Sequence, residues 1–129
     1  MEKNPHRQRT AAAALEPRVS AVVVARQVRP KSPASSALDL CLRSALAEPW
    51  IDDLVIVDHG NPAEITAAFR QLQLDRRDVK LVSAPPALSA AAAANLGADA
   101  ALGRWLLFLD AGIVLQRGAV ARMAAAGGG

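Results

Sequence analysis

Tyrosine is missing altogether from these 129 residues, and two tryptophans and two phenylalanines are the only aromatic side chains. That scarcity excludes the stacking platforms on which single-stranded nucleic acid is held, so the chain does not read as an RNA- or DNA-binding module. A single cysteine, Cys41, cannot close an internal disulfide, which excludes a disulfide-built scaffold and fits a reducing compartment. With only His6 and His59 in the sequence, no Cys/His cluster of zinc-binding spacing exists. No apolar run reaches the roughly 20 residues that cross a bilayer, because the long alanine-rich stretch is broken by Asn95, Asp99, Arg104 and Asp110. The opening MEKNPHRQRT and the short AAAAL after it lack the apolar core of a secretion signal. A cytoplasmic protein is expected, with peripheral association at the cytoplasmic face of a membrane left open. Phosphate-cradling glycine loops are missing too: ARQVRPKSP stands where G-x-G-x-x-G would come after the first strand, and G-x-x-x-x-G-K-[ST] occurs nowhere. Ser20, Ser83 and Ser89 have no nucleophile-elbow context, so acyl transfer has no support.

What is present is alanine and an uneven charge. Of the 52% hydrophobic residues, 29 are alanine, which fills helices but buries little area each, so the larger apolar side chains must make the core. The length suits one domain. Residues 1–31 hold seven bases against two acids, while the remainder holds eight against ten. A basic arm on a slightly acidic body reads as a solvated tail, so residues 1–18 are expected to be a flexible basic tail and 19–126 the folded domain.

Apolar periodicity lays out that domain. VSAVVVA (19–25) is a β-branched run of the type buried on both faces of a parallel sheet. Pro30 and Pro33 interrupt regular structure after it, with Ser35 or Ser36 available as a helix cap. Leu38, Cys41, Leu42, Ala45 and Leu46 then fall on one helical face, making Cys41 a core thiol. DLVIVD (53–58) is a second strand that turns at His59 and Gly60. Asn61, Pro62 and Glu64 read as the capped start of a second helix, carrying Ile65, Ala68, Phe69 and Leu72 inward. VKLVS (79–83) is a third strand, Ser89 opens an alanine helix that Gly103 ends, RWLLFLD (104–110) is a fourth strand, and RGAVARM starts another helix. Strict alternation of strand and helix without tight hairpin signals implies right-handed crossovers, hence an α/β, Rossmann-like parallel sheet with helices on both faces.

Ligands of such sheets bind outside the carboxyl ends of the strands, where strand order reverses. Asp58 and Asp110 each end an apolar strand on that edge, and a carboxylate there requires a hydrogen-bond donor, a base, a metal or a ligand hydroxyl. They are expected to converge on one crevice, close enough to grip one small molecule. The competing expectation is that each caps the turn after its strand within a Rossmann-like interaction domain. His59 reads as a turn residue rather than a ligand or base.

VSAVVVARQ, CLRSALAEPWIDDLVIVDHGN and LSAAAAANLGADAALGRWLLFLDAGIVLQRGAV, spanning 19 to about 123, resemble the nucleotide-sugar-binding half of family 2 glycosyltransferases of the GT-A fold. The resemblance implies that Ala25, Arg26 and Gln27 after the first strand, with Asp58 and the Gly60 turn, hold the nucleoside. It matches Asn95, which would then join the nucleotide-sugar-binding residues, and Gly97 to a helix segment of the family, and Leu109, Asp110, Ala111 and Gly112 to its L-D-x-D element. Asp110 would then face ribose hydroxyls or a Mg²⁺ or Mn²⁺ ion bridging the donor diphosphate. Gly112 stands where the family has its second acid, Ala94 where it has Arg, Arg26 and Gln27 where it commonly has Tyr and Asn, and Asn61 where it has Ser. The acceptor-binding half and the general-base acid come after this region in the family and are not found in these 129 residues. Two functions are compatible with these residues: a glycosyltransferase binding a nucleotide-diphosphate sugar for transfer to an acceptor, or a non-catalytic nucleotide-binding or interaction module of the same fold. An uncovered sheet edge is expected to promote self-association.

Overall fold

A computed structural model describes residues 19–128, and the basic segment 1–18 lies outside the described residues. Four strands, β1 (Val19–Arg26), β2 (Ile51–His59), β3 (Val79–Ala84) and β4 (Trp105–Asp110), alternate with four helices. The helices are α1 (Pro33–Leu46), α2 (Ala63–Asp75), α3 (Ala90–Ala100) and α4 (Ala119–Gly128). The strands are parallel in the order β3-β2-β1-β4. Chain progression moves outward from β1 to β3 and then crosses to the far side of β1, so the order reverses between β1 and β4.

That reversal puts helices on both faces. Ala21, Val23, Ala25, Leu54, Ile56 and Leu109 pack with Leu38, Cys41 and Ala45 of α1, Ile65 and Phe69 of α2, and Val120 of α4. The alternate residues Val22, Val55 and Val57 meet Ala93 of α3 on the other face. Small residues let α3 lie close: a Cβ on Gly97 would sit 2.6 Å from Val22 Cγ1 and 2.7 Å from Val57 Cγ2.

Three helix ends differ from the sequence reading. Ser32, not Ser35 or Ser36, caps α1; its hydroxyl accepts from the Ser35 amide, and the Ser35 hydroxyl bonds back to Ser32. Pro33 therefore opens the helix instead of preventing it, since the first turn needs no proline N–H. Asn61 makes no cap for α2, whose cap position is Pro62 without a side-chain bond. Asn61 is instead drawn to the strand ends. Gly103 does not end α3, which stops at Ala100; a Cβ there would sit 2.5 Å from Ser20 Oγ, so this glycine permits close approach to β1.

The amino edge of the sheet is closed by polar bonds. Ser20 donates to Asp53 at 2.8 Å, the amides of Leu102 and Gly103 donate to Asp53 and Ser20, and Lys80 lies 3.5 Å from Asp53. Every buried polar group in this cluster has a partner, which fixes the entry into β4.

Candidate functional site

The opposite, carboxyl edge brings together Ala25, Arg26 and Gln27 at the end of β1, Asp58 with His59 and Gly60 after β2, and Asp110 at the end of β4. Arg26 and Gln27 are exposed. Gln27 has a φ of 49°, an uncommon left-handed geometry for a side-chain-bearing residue, held where its amide donates to the His59 carbonyl at 3.3 Å. Gly60 turns the chain at a φ of +68°, a conformation glycine adopts without Cβ strain.

Asn61 ties this edge together. Its amide group donates to the Ala25 carbonyl and to Asp58 Oδ1, both at 2.7 Å, while its oxygen accepts from the Val28 amide at 2.8 Å. The other Asp58 oxygen accepts from Thr66 Oγ1 of α2 at 2.6 Å. Asp58 is thus buried and oriented by two side chains. Each carboxylate oxygen carries a further lone pair, so these bonds position the acid without exhausting it. A cleft of about 810 Å³ opens beside it on the side of α2 and β3, lined among others by Asp58, Gly60, Thr66, Arg70, Ser83 and Pro86 and by none of Ala25, Arg26, Gln27 or Asp110.

Asp110 occupies the same rim on the other side of β1. Its carboxylate is exposed and makes no hydrogen bond or ion pair among the described residues, while its carbonyl accepts from the buried Cys41 thiol at 3.6 Å. Burial pushes the Cys41 thiol up from its ordinary value, opposed by the Ile113 N–H and reinforced by the Asp110 charge. Register decides how the two acids relate. Asp58 aligns with Ala25 and Asp110 with Val24, and side chains alternate along a strand. Asp58 therefore leaves on the α1 and α2 face and Asp110 on the α3 face. They share the rim, about 10 Å apart across two strand spacings, but do not close on one crevice; the one-residue offset in pairing separates them.

His59 is not a turn residue. It is the last residue of β2, fully buried, with neither ring nitrogen partnered among the described residues. Its alternation turns it toward the apolar α3 face, and each unpartnered buried polar atom costs about 1–3 kcal/mol. Asn95 is exposed on α3, two residues from Gly97, which faces the sheet; no hydrogen bond among the described residues draws it to Asp58 or Asp110. Sequence reasoning missed Thr66 and the linking role of Asn61. The only advance signal was a hydroxyl one turn into α2 on the side of Asp58.

The donor set does not amount to a preformed metal centre: among the described residues no three His, Cys, Asp or Glu side chains are grouped to hold an ion. Nothing lies within 4 Å of where a Cβ on Gly112 would stand, so the carboxylate absent at that position is not replaced by another.

This architecture recurs among known proteins. Residues 20–126 match the family described as Glycosyl transferase family 2. This chain belongs to that family. Among solved structures it is similar to S. aureus TarS, residues 1–349, with a TM-score of 0.67 and 14% identity over 84% of this chain and 31% of TarS 1–349. A TarS structure of greater length aligns with a TM-score of 0.64 and 14% identity, over 84% of this chain and 19% of that one. TarS 1–349 in complex with UDP-GlcNAc aligns with a TM-score of 0.60 and 15% identity, over 84% of this chain and 30% of that one. The family 2 chain thus spans about a third of the TarS 1–349 structures it resembles, and shares their GT-A fold. No curated protein sequence matches it significantly. None of the helices among its described residues is long and apolar enough to cross a membrane.

Proposed function

We propose that this chain supplies the nucleotide-sugar-binding part of a glycosyltransferase, with a nucleotide-diphosphate sugar lying across the carboxyl end of β1. The observation that carries the reading is the placement of Asp58 and Asp110 on the two strands flanking β1, at the reversal of strand order. Ligands of open parallel sheets bind at this position. Asp58, held by Asn61 and Thr66, orients the base or ribose, and Ala25, Arg26, Gln27 and Gly60 form the surface beneath. Asp110 meets ribose hydroxyls or the diphosphate side from the opposite face. A molecule that drapes over the strand end reaches both acids, which one confined to either face does not. The complex of TarS with UDP-GlcNAc supports the ligand class. Family 2 enzymes commonly use a divalent metal; the lone Asp110 carboxylate is a weak anchor for such a hard cation, so the binding described rests on the chain's own side chains.

A second reading, a non-catalytic interaction module of the same fold that holds no nucleotide, is favoured by the open space at Gly112 and the lack of a carboxylate cluster among the described residues. Calorimetric titration with UDP, GDP and TDP, with and without Mn²⁺, separates the readings. The first predicts binding of one of them, weakened about tenfold by Asp110→Asn through loss of a charge-assisted hydrogen bond. It also predicts that Gly112→Asp, which enters open space, makes binding Mn²⁺-dependent. No heat at millimolar nucleotide, with the fold intact, contradicts nucleotide binding altogether.

A further inference from the structure

A carboxylate and a guanidinium face the same cleft from two different elements. β3 turns Val79 and Leu81 toward the α1 and α2 side of the sheet, and strand alternation brings Ser83 to that side as well, so β3 forms one wall of the cleft beside Asp58. α2 forms the other. Thr66 and Arg70 stand four residues apart, on one stripe of the helix, and both line the cleft. Thr66 holds Asp58 at 2.6 Å, and Arg70 follows one turn further along. Arg70 has no ion pair or hydrogen bond among the described residues. Leu81 and Pro86 make the lining between these polar groups apolar.

We propose that this cleft takes the base of the bound nucleotide and selects guanine, so that the sugar substrate is a guanosine-diphosphate sugar. The inference rests on the reading of the rim as a nucleotide site and names the base that reading leaves open. A flat heterocycle suits apolar walls with a few polar groups between them, and its edges are read by those groups. Each Asp58 oxygen already accepts one bond, from Asn61 or from Thr66, which leaves a lone pair on each. Two adjacent hydrogen-bond donors satisfy both. Among the common bases guanine alone carries such a pair, N1–H and the N2 amino group. Uracil and thymine have one N3–H between two carbonyls, so an Asp58 oxygen would meet a carbonyl oxygen; adenine and cytosine place a ring acceptor beside their amino group. Arg70 supplies the complement, because a guanidinium fork donates to guanine O6 and N7 together. From a base held beside Asp58, ribose and diphosphate lead over the end of β1 toward Asp110, and cleft and rim hold one molecule.

Calorimetric titration of the 129-residue chain with GDP, UDP, TDP and ADP, and with two GDP analogues, tests this. Inosine diphosphate lacks the N2 amino group, and 7-deaza-GDP lacks N7. The expected result is that GDP binds at least about tenfold more tightly than UDP, TDP or ADP, and that inosine diphosphate loses about tenfold through the unmet Asp58 acceptor. Arg70 is exposed, so Arg70→Ala leaves the fold intact by circular dichroism; it weakens GDP more than it weakens 7-deaza-GDP, which has already lost one of the two contacts. A merely electrostatic pull of Arg70 on the phosphates would weaken both by the same factor. That outcome, or UDP or TDP binding as tightly as GDP, overturns the guanine assignment while leaving the nucleotide site standing. No heat with any nucleotide at millimolar concentration overturns the site and the assignment together.

Discussion

Gly97 sets the distance between α3 and the sheet, and it does so by lacking one carbon. The nearest methyls of Val22 and Val57 belong to fully or almost fully buried strand residues, so neither can swing aside. Gly97→Ala gains helix propensity of up to about 1 kcal/mol but forces α3 outward; overpacking of this kind costs about 1–3 kcal/mol. Net destabilisation is expected, read as a lower midpoint in urea unfolding, and an unchanged or raised midpoint would show that α3 has slack. Residues nearer the site were legible in kind but not in role. Asp58 and Asp110 stood out as acids ending apolar strands. Asn61, by contrast, read as a helix cap, because its partners at Ala25, Val28 and Asp58 come from two segments that adjoin only once β1 and β2 pair. His59 read as a turn residue because a polar side chain after a strand ordinarily faces water, whereas here β2 continues through it.

At the scale of elements, α4 depends on a residue far from it in sequence. The buried Glu48 carboxylate, just beyond α1, accepts from the Gly118 amide at 3.3 Å and the Val120 amide at 3.2 Å. Those donors lie at the amino end of a ten-residue helix, which is shorter than the roughly 12–15 residues an isolated helix needs, and the negative charge complements the helix dipole. Glu48→Ala leaves both amides without their acceptor at a cost of about 1–3 kcal/mol. Amide hydrogen exchange at 119–123 should quicken by about tenfold or more while β1 and β2 stay protected; unchanged exchange there would mean that packing of Val120 alone holds the helix. Strands and helix faces themselves were readable from β-branched runs and 3.6-residue stripes, because those patterns are local. Helix ends were less so: Ser32 competes with Ser35 and Ser36 within four residues, and Pro33 marks a first turn as well as it marks a break.

For the whole molecule, strand-helix alternation was sufficient to give a parallel sheet with helices on both faces, since right-handed crossovers leave few alternatives. The positions of Asp58 and Asp110 on one rim result from that topology. Their opposite faces do not, because a one-residue offset between the β1–β2 and β1–β4 ladders is set by pairing and packing that involve the entire sheet. The consequence is a site spread over the end of β1 rather than enclosed between two acids. Heteronuclear amide NMR during titration with the nucleotide that binds measures this directly. Perturbed amides are expected at Arg26 and Gln27, Asp58 to Asn61, and Asp110 to Gly112, on both sides of β1. Perturbations confined to one side of β1, or clustered at the amino edge around Ser20 and Asp53, would contradict it.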